Sequence, residues 1–234
     1  MPDSLQAILF DLDGTLLDIN MNEFLPHYFQ ALAARVAQLM PPDPFMQRLR
    51  QATQVMMAND GRDTNAAVFA QAFYPVGDYT RQDIEALLAD FYAHDFPKLR
   101  RYARHDPHAR PVVQAALDKG YDVVIATNPL FPATAVQQRI AWAGVADLPY
   151  RWISTFENSR AAKPNLLYYE QILDMLDCPA ESSMMVGDED MDMVAAHLGC
   201  RTFLVPGPRT DLAPSTPQPD YRGTLADLYA LLQD

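Results

Sequence analysis

Ile8-Leu9-Phe10-Asp11-Leu12-Asp13-Gly14-Thr15-Leu16-Leu17 is the stretch from which the rest of the chain reads. Residues 7–10 are uniformly apolar and of strand length, the pattern of a short buried strand. The run breaks at Asp11 and Asp13, two carboxylates two residues apart, which an extended backbone carries on one side. Gly14 allows a tight bend that a side chain would hinder. The expectation is a strand end presenting two acids at the mouth of a sheet. Paired acids repel one another and call for a cation or a phosphate-linked task. The competing reading is a strand followed by an acidic turn, since Asp and Gly are common turn residues.

Outward from that strand, residues 19–105 carry helical periodicity and no strong strand signal. Helices are expected over 22–40, 44–57 and 64–73, and from the Thr80–Asp83 capping box through 92. After Asp106 the pattern alternates. Helices over 107–119, 132–143, 164–176 and 191–198 separate apolar strands at 121–126, 150–156, 183–186 and 202–205. Strands alternating with helices imply an α/β fold, a Rossmann-like parallel sheet with helices on both faces. The helical segment reads as a small all-helical insert. The expected organisation is a discontinuous core of 1–18 and 106–234 and an insert of 19–105. Residues 206–219 hold five prolines and read as an irregular surface segment, with a last helix over 225–232.

Ligands in such sheets bind outside the carboxyl ends of the strands, and three further polar signals fall at strand ends or helix starts. Thr127-Asn128 ends the second core strand; a hydroxyl with the following backbone N–H can hold a phosphoryl oxygen, or the Thr can cap the next helix. Lys163 precedes Pro164 at a helix start, where its ammonium can hold a carboxylate and a phosphate together. An exposed surface lysine is the bland alternative, and Arg160 is a nearby competitor. Val186-Gly187-Asp188-Glu189-Asp190-Met191-Asp192 places acids four apart at the end of an apolar strand. If a helix begins near Glu189, Asp188 and Asp192 can face one cation. Hard oxygen donors suit Mg²⁺, while helix N-terminus stabilisation accounts for Glu189 and Asp190.

Asp11-Leu12-Asp13-Gly14-Thr15, Thr127, Lys163 and the Asp188–Asp192 cluster, in that order, resemble the four motifs of the haloacid dehalogenase-like hydrolases, a superfamily dominated by magnesium-dependent phosphatases. The insert between the first and second motifs resembles the helical cap of one large subgroup. The resemblance implies that Asp11 is the nucleophile and Asp13 the acid and base. It implies that Thr127, Asn128 and Lys163 hold the substrate phosphate. Mg²⁺ would lie between Asp11, the Asp13 backbone carbonyl and Asp188, with Asp192 bound directly or through water. Family dehalogenases lack the second Asp, because halide departure needs no acid, so Asp13 favours phosphoryl transfer. A phosphomutase shares every core residue and is the alternative within the enzymes; a non-catalytic binding module is the alternative outside them. The substrate expected is a small phosphorylated metabolite. His27, Arg35, Arg48 and Arg62 are the cap side chains that could touch it, each equally readable as a solvated helix-face residue.

Composition narrows the partners. The net charge is −12, from 18 basic and 30 acidic residues, which disfavours nucleic acid and anionic membranes. Hydrophobic residues make up 49%, enough for a packed core. The two cysteines, Cys178 and Cys200, form neither a disulfide framework nor a zinc pattern. No basic leader or long apolar segment is read, so a cytoplasmic protein is expected, as monomer or homodimer.

Overall fold

Strand β1 (Ala7–Phe10) is buried at every residue and lies in the middle of the sheet. The computed structural model describes residues 5–207 and 210–233. Around β1 run β4 (Asp122–Ile125), β5 (Trp152–Ile153), β6 (Ser183–Gly187), β7 (Arg201–Leu204) and β8 (Tyr221–Arg222), in the order β5-β4-β1-β6-β7-β8. Every pairing in this six-stranded sheet is parallel. Residues 17–19 and 103–105 form β2 (Leu17–Ile19) and β3 (Ala103–His105), a separate antiparallel pair. Between them lie α1 (Met21–Val36), α2 (Pro42–Met57), α3 (Asn65–Phe73) and α4 (Arg81–His94), then a 3₁₀ turn, Phe96–Tyr102.

Parallel strands need both faces covered, and β1 shows how. Ile8 and Phe10 belong to a layer with Val112 and Val113 of α5 (Ala109–Asp118), Val136 and Ile140 of α6 (Ala133–Trp142), and Leu228. Ala7 and Leu9 point to the opposite layer, with Tyr168, Tyr169 and Ile172 of α7 (Leu166–Leu176). The short α8 (Asp190–Met193) leads into a 3₁₀ turn that covers this second face, and α9 (Leu225–Gln233), which carries Leu228, closes the first. Phe24, Tyr28, Phe91 and Phe96 extend the first layer into α1–α4 and reach Trp142 of α6 through edge and stacked ring contacts.

Several local expectations are corrected. The strand expected over 150–156 is confined to Trp152–Ile153, because Asn158 takes over the backbone that would continue it. Its Nδ2 donates to the Ile153 carbonyl at 2.9 Å and its Oδ1 accepts from Thr155 N at 2.9 Å. Strands β2 and β3, three residues each, and β8, two residues, are too short to carry a periodicity signal. The helix expected from 164 starts at Leu166, capped by Asn165, whose side chain accepts from Leu167 N at 3.1 Å. Lys163 therefore lies in the loop before the helix, joined to Pro164 by a cis peptide bond. The capping box of α4 forms as read, between Thr80 and Asp83.

One buried side chain ties α3 to the sheet's carboxyl end. Asn65, fully buried, donates to the Pro129 carbonyl at 3.3 Å and the Ala161 carbonyl at 3.0 Å, and accepts from Asn59 Nδ2 at 2.8 Å. Asn65→Ala strands these groups away from water and is expected to cost about 2–3 kcal/mol of unfolding free energy. Urea titration measures it; a loss below about 0.5 kcal/mol, the level of an ordinary surface change, would contradict the reading.

Candidate active site

The register of the sheet brings the polar signals together. Phe10 pairs with Ile125 on one side and Val186 on the other, so Asp11, Thr127 and Asp188 all emerge at the same carboxyl edge. Asp11 is held by its backbone N–H to the Val186 carbonyl at 2.8 Å. Its side chain accepts from Lys163 Nζ at 2.8 Å. The same ammonium donates to Asp192 Oδ1 at 2.5 Å, and the Lys163 side chain is fully enclosed. The surface-lysine reading of Lys163 is thereby excluded. Arg160, its competitor, is exposed.

Asp192 does structural work with its other oxygen. Oδ2 accepts from the backbone N–H groups of Asp188 and Glu189 at 3.1 and 3.2 Å, which fixes the loop after β6. Gly187 makes this possible: a Cβ there would meet the Asp192 carboxyl at 2.2 Å. Gly14 serves the same end from β1. Its φ is +91°, and a Cβ on it would lie 2.3 Å from Asp188 Oδ2. Thr15 Oγ1 donates to Asp188 Oδ1 at 3.2 Å. The proline-rich segment also secures this loop. Thr210 Oγ1 donates to the Asp188 carbonyl at 3.0 Å, and Asp190 accepts from Ala213 N and Thr216 Oγ1.

Carboxylate oxygens of Asp11, Asp188 and Asp192 all lie within 4.8 Å of one another. Burial, with Asp192 and Asp13 nearby, pushes the Asp11 carboxyl up to about 7 despite the opposing pull of Lys163. Burial and then the Asp11 and Asp192 charges push Asp188 up to about 8. Burial alone would lower Lys163, but Asp11 and Asp192 outweigh it and hold the ammonium well above the usual lysine value. The ammonium is shared by two acids, so it stays charged while the carboxylates remain under-compensated. A hard divalent cation fits that donor set and supplies the missing charge.

The linkage can be tested. Asp11 and Asp188 keep protons in the fold to about pH 7 and 8, whereas the unfolded chain releases them near pH 4. The folded state then binds more protons than the unfolded one, so stability of the metal-free protein is full below about pH 4 and falls as pH rises toward 8. Mg²⁺ is expected to raise the melting midpoint by several degrees at pH 8 and little at pH 5. Equal shifts at both pH values, read by calorimetry, would contradict the cluster's electrostatics.

Asp13 is turned away from this triad. Its Oδ2 is ion-paired with Arg139 Nη1, and the Arg139 side chain is fully buried. Arg139 escaped the sequence reading. Its signal was its position on α6, three residues after buried Val136, where the helix's apolar stripe calls for a hydrophobic residue. Thr127 is 2% exposed, and the N-cap of α6 is Pro132, which removes the capping explanation for Thr127. Asn128 Nδ2 lies 3.7 Å from Met191 Sδ, and its Oδ1 is buried without a partner. Tyr168 and Tyr169 were also missed as braces. Tyr168 OH donates to the Thr127 carbonyl at 2.9 Å and lies 3.0 Å from Ser154 Oγ; Tyr169 OH donates to the Met191 carbonyl.

The four side chains that could touch a substrate make other contacts. His27 stacks on Tyr102 at 3.8 Å, Arg35 pairs with Asp90 and Asp95, Arg48 Nε donates to the Phe73 carbonyl at 3.1 Å, and Arg62 pairs with Asp60. Cys178 and Cys200 are free and buried. Among the described residues, no helix is long and apolar enough to cross a membrane.

Acids and one buried lysine thus meet at the carboxyl edge of a parallel sheet. The family described as haloacid dehalogenase-like hydrolase matches residues 5–198. The chain belongs to that family. It is similar to a phosphoglycolate phosphatase of Rhodospirillum rubrum, 29% identical over 199 residues, covering 82% of this chain and 75% of that protein. Among solved structures, CbbY from Rhodobacter sphaeroides in complex with phosphate aligns over 96% of both chains, with a TM-score of 0.59 at 20% identity. The L-2-haloacid dehalogenase of Xanthobacter autotrophicus with chloropropionic acid covalently bound aligns over 98% of both, at 0.57 and 17%. These structural likenesses show the fold.

Proposed function

We propose that this chain is a Mg²⁺-dependent phosphatase that hydrolyses a small phosphate monoester through a phosphorylated Asp11. The observation that carries the reading is the buried Lys163 ammonium on Asp11, beside an under-compensated carboxylate cluster. The phosphatase relative supports a small phosphoester as substrate.

Asp11 Oδ attacks phosphorus, and the ester oxygen leaves as an alcohol with a proton from Asp13. Asp13 then takes a proton from water, which attacks the same phosphorus, freeing Asp11 and releasing inorganic phosphate. Lys163 and the Thr127 hydroxyl, with the Asn128 backbone N–H, hold the phosphoryl oxygens as charge spreads over them. Asp11, Asp188 and the Asp13 backbone carbonyl would hold Mg²⁺, with Asp192 fixing Lys163 and the 188–189 backbone behind them. Bound there, the ion neutralises the repulsion between an anionic nucleophile and an anionic ester.

Residues 19–105 act in this reading as a cap domain over a core of 1–18 and 106–234, with β2 and β3 as the connection. The cap excludes water and shapes the space around the leaving group. The dehalogenase alternative is disfavoured by Asp13, which a departing halide does not need.

Phosphate release from a panel of small esters, with Mg²⁺ and with chelator, tests the proposal. Metal-dependent release is expected. An isomerised ester without net release would replace the phosphatase with a mutase, and a folded protein that neither binds Mg²⁺ nor turns over an ester would refute an enzyme at this site.

A further inference from the structure

Arg139 has more donors than Asp13 uses. Its Nη1 pairs with Asp13, whereas Nε and Nη2 are buried without a hydrogen-bond partner. An unpaired buried donor on a charged group is costly to keep. The guanidinium plane is fixed, because Cζ lies 4.5 Å from the Phe131 ring centroid. In a guanidinium, Nε–H and Nη2–H point the same way and form the fork that matches a carboxylate or phosphate bidentately. The two unused donors are therefore one complete fork, not two scattered groups.

The surroundings favour an anion there. Phe131, over which the guanidinium lies, also meets the Tyr28 ring of α1 at 5.4 Å, and the Tyr28 hydroxyl lies 3.0 Å from that of Tyr92 of α4. One hydroxyl donates to the other, so one phenolic proton remains for a ligand. The fork also lies beside the side chain that, on the phosphatase reading, protonates the leaving oxygen. A hydrogen bond from that oxygen to Asp13 spans about 2.7 Å, and the ion pair spans about as much again. A group one or two carbons from the ester oxygen thus falls within reach of Arg139.

We propose that the Nε/Nη2 fork of Arg139 is the receptor for a second anionic group, carried close to the ester oxygen of the substrate. The substrate class becomes a short phosphate monoester bearing a carboxylate or a second phosphate on its leaving group. This rests on the phosphatase reading of the same site. Arg139 then joins the acid–base residue to the substrate: one edge holds Asp13, and the other selects the leaving group.

The test compares 2-phosphoglycolate with its neutral isostere 2-phosphoglycolamide, for wild type, Arg139→Lys and Arg139→Met. The readout is the ratio of kcat/KM for the two esters within each protein. Damage transmitted through Asp13 affects both esters and cancels in that ratio. Wild type is expected to favour the carboxylate by on the order of 10²-fold. In Arg139→Met the ratio should fall toward one, chiefly through KM. Arg139→Lys, which keeps charge but loses the fork, should lie between. A wild-type ratio near one, or a ratio unchanged in Arg139→Met, overturns the proposal. If circular dichroism shows Arg139→Met unfolded, the wild-type and Arg139→Lys ratios decide by the same criteria. Absence of Mg²⁺-dependent release from both esters and from the whole ester panel sinks the phosphatase reading and this proposal together; release without discrimination sinks this proposal alone.

Discussion

Asp11→Asn is expected to reduce kcat by on the order of 10⁴-fold or more, the scale of loss when a covalent nucleophile is removed. The amide keeps the shape of the carboxyl and can still accept from Lys163, so the sheet is retained. It also removes a buried negative charge that burial disfavours up to about pH 7. In metal-free buffer at pH 8 the variant should melt no lower than wild type. Phosphate release within tenfold of wild type would remove Asp11 from the nucleophile's role. A large fall in melting temperature at pH 8 would instead mean that Lys163 needs the ionised partner for folding.

Lys163→Met should lose turnover and also destabilise the fold by about 3–5 kcal/mol at neutral pH, as when one partner of a buried pair is deleted. The ammonium is enclosed between Asp11 and Asp192, and Asp192 is 1% exposed. Without the cation, whose pull opposes burial, the Asp11 carboxyl is pushed further toward its neutral form. The penalty should therefore be largest near pH 8 and shrink toward pH 5 as protons replace the lost charge. Urea titrations at the two pH values separate this from a packing effect. An equal loss at both would mean that the methionine disturbs the loop before α7 rather than its electrostatics.

The polar residues at the site were legible because each interrupts an apolar run where a strand must end. Asp11, Thr127 and Asp188 follow buried strands directly, and the sheet register does the rest. Lys163 and Asp192 could be placed near them by order along the chain. The sharing of one ammonium between two acids depends on how the loop before α7 meets the loop after β6, and only the folded structure shows that. Arg139 was hidden for a different reason. Its place on the apolar stripe of α6 marks it as unusual but not what it pairs with, because its partner, Asp13, lies 126 residues away. Tyr168 and Tyr169 read as ordinary apolar positions of a helix, since a sequence does not reveal where a hydroxyl ends. Strands β2, β3 and β8 owe their pairing to neighbours rather than to their own pattern.

The most direct test of the central claim is to trap the enzyme during turnover. Borohydride reduces an acyl phosphate, so quenching wild type with a turned-over ester and Mg²⁺ should convert Asp11 alone to homoserine, found by peptide mass spectrometry. The modification should vanish when ester or metal is left out. Sustained phosphate release with position 11 unmodified, and the label on another carboxylate, would contradict the account.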